Sequence, residues 1–146
     1  MARYRTEQPF AGAPEAAFDY LANFESVAEW DPGVSEATRV DEGPLVVGSQ
    51  FRVVVKTGPL VYEVQELEPG RRIRLVAETS TLRSDDVITV LPADGGATVS
   101  YDADLSVRGW AVVFSPVLSL VFNRIGDKAA AGLRAKLDEL AGASAG

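Results

Sequence analysis

Apolar residues recur every three or four positions near the end of the chain. This stripe consists of Leu118, Phe122, Ile125, Ala129, Leu133, Leu137 and Leu140. Recurrence with this period predicts an amphipathic helix that faces a large apolar surface. Ser115 followed by Pro116 is a favourable start, because serine can cap a helix and proline lacks the N–H that would be unpaired at the first helical position. We therefore predict a long helix that begins at Ser115.

Before this helix, apolar and polar residues mostly alternate, which predicts β-strands. The predicted strands cover residues 3–8, a segment that starts at residue 34, and residues 49–56, 60–66, 72–78, 85–91 and 98–108. The last strand alternates most cleanly, with Val99, Tyr101, Ala103 and Leu105 on one face. Asp94-Gly95-Gly96 precedes it and predicts a tight hairpin, because glycine tolerates the positive φ angles of such turns.

Two short helices are predicted between the first and second strands. The first begins at Pro14. Its apolar face consists of Ala17, Phe18, Leu21 and Ala22. The second covers residues 25–30 and has to end near Asp31, because Pro32 disfavours helical geometry at the residue before it. A strand, two short helices, six strands and a long helix suggest a curved antiparallel sheet wrapped around the last helix, with room for a cavity.

Composition limits the chemistry that the chain can perform. Its 146 residues fit one domain, 1–146, with a disordered tail expected at 142–146. With 21 acidic and 14 basic residues the net charge is −7, which disfavours nucleic acid as a partner. The absence of cysteine and histidine excludes thiolate nucleophiles, disulfides, serine–histidine triads and most zinc chemistry. We expect no metal and no cofactor, so any catalysis would use Asp, Glu, Tyr, Lys or Arg.

Residues 110–122 form a nearly continuous apolar run that includes Trp110, Phe114 and Phe122. The run is too short and interrupted to span a bilayer, which needs about 20 apolar residues. Three interpretations remain open: the mouth of a cavity, a homodimer contact, or a site that touches a membrane or a ligand-donating partner. We favour them in that order. Because residues 1–10 lack the apolar core of a signal peptide, we expect a cytoplasmic location.

Several spaced motifs accompany this order of elements. They are Phe18 and Leu21 in the first helix, Trp30-Asp31-Pro32 after the second, Gly48 before Phe51, and Gly95-Gly96-Ala97-Thr98 in the last hairpin. Together they resemble the START-like (SRPBCC) superfamily and, more narrowly, its bacterial polyketide cyclase/dehydrase and lipid-transport family, over roughly residues 2–140. In that family Gly-Thr is commonly adjacent, whereas Ala97 intervenes here.

The resemblance implies an α+β helix-grip fold, in which a seven-stranded curved antiparallel sheet wraps around the C-terminal helix above an apolar cavity. The predicted cavity lining is Trp30, Phe51, Val53, Tyr62, Leu75, Tyr101, Ala103, Leu105, Phe114, Leu118, Phe122 and Ile125. An apolar lining with a few hydroxyls is typical of a small-molecule pocket, although each aliphatic residue taken singly fits a filled core better. Tyr62 and Tyr101 fit both interpretations equally.

Members of this superfamily bind lipids, hormones, pigments or polyketides, and only some are enzymes, so the resemblance implies fold more than function. The favoured hypothesis is a carrier or sensor of a small hydrophobic molecule, lipid or polyketide-like. The alternative is a cofactor-independent polyketide cyclase/dehydratase, in which Tyr62 or Tyr101 polarises a carbonyl and Asp86 takes a proton. A third class, an interaction module resembling the superfamily's co-chaperones, would use residues 110–122.

The enzyme hypothesis depends on the orientation of Asp86. Its strand is apolar on both faces, so the alternation does not establish whether Asp86 points inward or outward. The pattern taken alone favours a solvated Asp86, since buried carboxylates are rare. The carrier hypothesis therefore comes first.

Overall fold

Seven strands form one antiparallel sheet in the order β1-β7-β6-β5-β4-β3-β2. The computed structural model describes residues 2–56, 58–107 and 115–145, without side chains for residues 2, 115–122 and 143–145. The strands are β1 Ala2–Phe10, β2 Val34–Arg39, β3 Gln50–Val55, β4 Gly58–Glu68, β5 Arg72–Glu78, β6 Leu82–Ala93 and β7 Gly96–Val107. The helices are α1 Pro14–Ala22, α2 Val27–Trp30 and α3 Ser115–Ala145, and a 3₁₀ turn, Phe24–Ser26, precedes α2.

This architecture confirms the predicted order of elements and the helix-grip fold. The sheet curls into a half-barrel with α3 as its long C-terminal helix. Irregular register occurs between Val34 and Glu36 in β2 and between Val64 and Glu66 in β4. Such bulges bend a strand and increase its twist, which helps the sheet to curve.

The hydrophobic core lies on the concave face of the sheet, as the alternation predicts. Inward-facing residues that are fully buried there include Phe51, Val64, Ile73, Leu75, Ile88, Val90 and Val99. α1 covers one end of this face with the four apolar residues predicted for it, all of them buried. We call this the closed end of the sheet.

α3 packs against β1 and α2 at two glycines. A Cβ on Gly126 would lie 2.5 Å from the Tyr4 ring, and one on Gly132 would lie 1.9 Å from the Trp30 carbonyl oxygen. Leu133 and Leu137 of α3 are buried in the core, as predicted. The glycines therefore allow a contact that any larger side chain would block.

One detail of α3 differs from prediction. Ile125 was expected to face the sheet but is 42% exposed, because Gly126 is the residue that lies buried on the Tyr4 ring at this turn. The helix is described as far as Ala145, and the disorder expected at residues 142–146 stays a prediction. Alanine, which has the highest helix propensity, occupies three of the five positions from 141 to 145.

Polar contacts hold both flanks of α3. The Tyr4 hydroxyl donates to Asp127 Oδ1 at 2.8 Å, and Gln8 Nε2 donates to the Ala130 carbonyl at 3.4 Å, both from β1. On the other flank Lys136 Nζ lies 3.7 Å from Glu29 Oε1 of α2. Within the described ranges no helix is long and apolar enough to cross a membrane.

Candidate functional site

Four side chains form a hydrogen-bonded chain on the concave face, which we call the polar cluster: the buried residues Tyr62, Ser84 and Asp86, and the half-buried Tyr101. The Tyr62 hydroxyl lies 3.0 Å from Ser84 Oγ, and Ser84 Oγ lies 2.9 Å from Asp86 Oδ1. The Tyr101 hydroxyl donates a short hydrogen bond to Asp86 Oδ2. Asp86 is 4% exposed and points inward, so the favoured interpretation of a solvated carboxylate is wrong.

Strand pairing explains how Tyr62 reaches Ser84. Tyr62 of β4 pairs with Ala77 of β5, and Ala77 pairs with Ser84 of β6, so the three residues form one row across the sheet. The side chain between the two hydroxyls is only a methyl group. A phenol can therefore cross β5 and meet the serine, which a larger residue at position 77 would obstruct.

A second small residue allows the contact between Asp86 and Tyr101. Asp86 pairs directly with Ala103 of β7, while Tyr101 pairs with Ile88 and so lies diagonal to Asp86 on the same face. Long aromatic side chains reach such diagonal neighbours. Because Ala103 occupies little space, the Tyr101 hydroxyl can lie over it and contact the carboxylate.

Burial controls the ionisation of Asp86. Burial raises the pKa of Asp86 to about 6, because a carboxylate loses hydration inside the protein. The hydroxyl donors Tyr101 and Ser84 act in the opposite direction by stabilising the charged form, and the negative charges of Asp85 and Asp31 add smaller upward effects. A buried carboxyl group with a pKa near 6 suits proton transfer or ligand orientation near neutral pH.

The neighbouring groups respond to the same environment. Burial, and then the charge of Asp86, raise the pKa of Tyr62 and of Tyr101 well above 10, so both phenols stay protonated. Burial also raises the pKa of Asp31, and the Gly33 N–H, which lies 2.8 Å from Asp31 Oδ1, partly opposes this. Asp31 therefore places a second carboxyl group near the polar cluster.

Aromatic rings from the segment between α1 and β2 pack on the two tyrosines. The Phe24 and Tyr62 ring centroids are 5.1 Å apart, and those of Trp30 and Tyr101 are 5.2 Å apart, both edge to face. Trp30 is 4% exposed, yet its indole N–H has no hydrogen-bond partner in the part of the chain that the structure describes. A buried N–H without a partner marks a place where a ligand acceptor would be stabilising.

The concave face is less tightly covered at the end away from α1. Leu82, Leu105, Tyr101 and Val55 face inward but are only half-buried, whereas the inward residues nearer α1 are fully buried. We call the end of the sheet at Val55, Leu82 and Leu105 the open end. The polar cluster lies between it and the closed end.

Neither of two hollows formed by described residues contains a residue of the polar cluster. The first, which we call the side hollow, has a volume of about 300 Å³ and lies between α1, β3 and the loops beside them, with Phe18, Arg39, Leu45 and Phe51 in its wall. The second, of about 400 Å³, lies on the outer face of β1, β6 and β7. A cavity between α3 and the sheet is therefore a prediction and not an observed feature.

The structure distributes the predicted lining residues unevenly. Trp30, Phe51, Val53, Tyr62, Leu75 and Ala103 are buried, Tyr101 and Leu105 are half-buried, and Ile125 is largely exposed. Phe114 and Trp110 lie outside the described residues, and the side chains of Leu118 and Phe122 are not among those described. The three interpretations of residues 110–122 therefore remain predictions.

The pattern of the sequence did not mark Ser84, Phe24 and Asp31 as parts of this site. Ser84 shares the face of Asp86 by the two-residue period of a strand, so it would have followed from the orientation of Asp86. Phe24 and Asp31 come from a different part of the chain. No local pattern links them to β6, so no signal in the sequence could have placed them there.

Comparisons with known proteins identify the family. The sequence profile of the family described as polyketide cyclase / dehydrase and lipid transport matches residues 1–138. No curated protein sequence matches the chain. Among solved structures, a START superfamily protein from Mycobacterium smegmatis is similar with a TM-score of 0.74 and 16% identity, over 95% of this chain and 97% of that one.

Two aromatase/cyclases have similar folds. The Zhui aromatase/cyclase from Streptomyces sp. R1128 has a TM-score of 0.71 and 13% identity over 93% of each chain. The di-domain aromatase/cyclase StfQ of the steffimycin biosynthetic pathway has a TM-score of 0.70 and 16% identity over 97% of this chain and 52% of that one. These identities establish the fold alone, whereas the profile match over nearly the whole sequence establishes that the chain belongs to the polyketide cyclase/dehydrase and lipid transport family.

Proposed function

We propose that the protein binds a small hydrophobic molecule, lipid or polyketide-like, between α3 and the concave face of the sheet, as a carrier or sensor. The observation that carries this proposal is the polar cluster, a chain of hydroxyls and one carboxyl group buried among apolar walls. A few polar groups in an apolar enclosure are typical of sites that orient one end of a ligand. The internal cavity is part of the proposal.

Two further observations support a ligand at this place. The indole N–H of Trp30 is buried without a partner among the described residues, and its ring packs on Tyr101. The inward residues of the open end, Leu82 and Leu105 among them, are only half-buried. Both are expected of an apolar site that is completed by a ligand.

A second candidate function, a polyketide cyclase/dehydratase, is favoured by Asp86. Its carboxyl group is buried, and a pKa of about 6 suits a general base that works near neutral pH. Two proteins of similar fold are aromatase/cyclases. The predicted role of Tyr101 in polarising a carbonyl is less well supported, because its proton is already donated to Asp86.

The direct test is binding, with one variant that fills the site. Native mass spectrometry of freshly purified protein should reveal a copurified apolar compound, and calorimetric titration with naphthalene should give saturable binding. Leu105→Trp should abolish that binding while leaving the free energy of unfolding within about 1 kcal/mol, because Leu105 is half-buried at the open end and the larger ring would enter the proposed cavity.

Ala97→Leu is the matched control, since Ala97 lies on the same face of β7 at the closed end and is 3% exposed. There the larger side chain has no space and should destabilise the fold by roughly 1–3 kcal/mol. Equal destabilisation by both variants, together with no naphthalene binding, would mean that the interior is solidly packed. The proposal would then fail.

The carrier and cyclase hypotheses predict different effects of Asp86→Asn. If the protein is a carrier, the variant should keep its affinity for naphthalene, and neither the variant nor the wild-type protein should convert a poly-β-ketone substrate. As a cyclase, the wild-type protein should cyclise that substrate, and the variant should lose far more rate than affinity. Absence of turnover in the wild-type protein would eliminate this candidate.

A further inference from the structure

We propose that the interior site selects apolar molecules that carry a hydrogen-bond donor, such as an alcohol, a phenol or an enol, over ketones and ethers of similar shape. This inference rests on the proposed function, since it names the class of ligand that the same site would take. It follows from the direction of the hydrogen bonds in the polar cluster.

An ionised carboxylate can only accept hydrogen bonds. The two oxygens of Asp86 contact Ser84 Oγ, at 2.9 Å, and the Tyr101 hydroxyl. Both hydroxyl groups must therefore donate to the carboxylate. Each of them has a single proton, so neither has one left for another partner.

The contact between Tyr62 and Ser84 then has only one possible direction. The two hydroxyl oxygens lie 3.0 Å apart, and the Ser84 proton is already on the bond to Asp86. The Tyr62 hydroxyl must be the donor. All three protons thus point toward the carboxylate. The polar cluster therefore offers a ligand only oxygen lone pairs, which accept hydrogen bonds.

A ligand hydroxyl complements such a surface, because it can donate to the phenol oxygen of Tyr62 or Tyr101. A carbonyl or ether oxygen would meet these oxygens without a proton between them, and it would lose its hydration with no replacement there. The unpartnered N–H of Trp30 does not reverse this preference. A hydroxyl can accept from the indole and donate to a phenol, whereas an ether can do only the first.

Asp86 is in the required ionisation state at pH 8. Its pKa of about 6 lies two units below that pH. The negative charges of Asp85 and Asp31 already contribute to this pKa of Asp86. Both phenols remain protonated at pH 8. Selection for donors should therefore be measured at pH 8.

The test compares two probes that differ in one proton. Wild-type protein is titrated calorimetrically at pH 8 with 2-naphthol and with 2-methoxynaphthalene, and naphthalene serves as the apolar reference. We expect 2-naphthol to bind at least about tenfold more tightly than 2-methoxynaphthalene, the effect of about one buried hydrogen bond. Equal affinities of these two probes would overturn the inference.

Asp86→Asn separates hydrogen-bond direction from ligand size. The amide nitrogen of Asn donates, so one neighbouring hydroxyl must accept from it and its own proton becomes available to a ligand. The preference for 2-naphthol over 2-methoxynaphthalene should fall by at least about tenfold, while the shapes of the probes stay the same. An unchanged preference would contradict the inference.

Asp85→Asn is the matched control, because Asp85 is the adjacent residue of β6 and pairs with Arg74 at 2.6 Å on the outer face. It should keep the wild-type preference. If Asp86→Asn does not fold by circular dichroism, Tyr101→Phe provides the second variant. It removes one acceptor, and it should weaken 2-naphthol binding but not 2-methoxynaphthalene binding.

The outcomes distinguish this inference from the function on which it rests. If all three naphthalenes bind with similar affinity, the interior site exists and its selection for donors does not. If none of them binds, naphthalene included, the proposed function itself fails. If 2-methoxynaphthalene binds more weakly than 2-naphthol by the same factor in the wild-type protein and in Asp86→Asn, the difference is explained by ligand size. The inference would then be rejected.

Discussion

Asp86 is the residue whose position changes the interpretation of this protein most. Its strand contains Val87 and Leu91 on one face and Ile88 and Val90 on the other, so alternation of apolar residues cannot assign a face to the carboxylate. The pairing of β6 with β5 and β7 makes that assignment and places Asp86 between Leu75 and Ala103. Burial then gives the carboxyl group its altered acidity.

This altered acidity should be visible in the stability of the protein. Because the pKa of Asp86 is raised in the folded state, the folded form is favoured while Asp86 is protonated, and stability is lost as the pH rises through about 6. Between pH 5 and pH 7.5 we expect Asp86 to lower the free energy of unfolding by roughly 1–2 kcal/mol. Urea unfolding of Asp86→Asn should lack this decrease.

Asp85→Asn provides the control for this measurement too. The Arg74 guanidinium lowers the pKa of Asp85, so this group contributes stability at neutral pH that is lost only in acid. The control should retain the decrease between pH 5 and pH 7.5. If Asp86→Asn shows the same decrease as the wild-type protein, Asp86 does not titrate near pH 6.

α3 illustrates how far a local pattern can describe an element. Its start at Ser115 and its buried Leu133 and Leu137 were predictable, because helix caps and a 3.6-residue period are properties of consecutive residues. Its contacts were not. The close approaches at Gly126 and Gly132 depend on where β1 and α2 lie in space.

The close contact at Gly132 gives a prediction for this element. Gly132→Ala would place a methyl group against the Trp30 carbonyl, so the helix has to shift, and we expect a net destabilisation of roughly 1–3 kcal/mol. Gly142→Ala is the control in the same helix, since its Cβ would meet open space. It should be neutral or stabilising by up to about 1 kcal/mol, the difference in helix propensity.

Thermal or urea unfolding of the two variants measures both effects. Equal stability of Gly132→Ala and Gly142→Ala would show that α3 does not lie against α2 as described. Because Trp30 also packs on Tyr101, a shift of α3 at Gly132 should in addition weaken naphthalene binding.

For the whole molecule, the contrast between the two ends of the sheet indicates where a ligand would lie. The closed end is filled by residues such as Ile73, Ile88 and Val90, whereas the open end contains half-buried Leu82 and Leu105. A bound molecule should therefore contact the open end and the polar cluster. The concave face at the closed end is filled by fully buried side chains, which leaves no space for a ligand on that part of the face.

Methyl NMR spectra can locate the ligand directly. On addition of 2-naphthol, the methyl signals of Leu82 and Leu105 should shift strongly, and those of Ile73 and Ile88 should change little. Selective shifts at Leu45 and Leu67 would instead place the molecule in the side hollow, whose wall includes both residues. That result would contradict the proposed site.

Local patterns were sufficient to establish the order of the strands and helices, the inward face of most strands and the resemblance that identified the family. These features depend on neighbouring residues, whose periodicity is written directly in the chain. The polar cluster is different, because Tyr62 and Tyr101 are 39 positions apart and reach Ser84 and Asp86 only across small residues on paired strands. Strand register and burial, which arise only when distant segments pack together, brought these four residues together and set the acidity of Asp86.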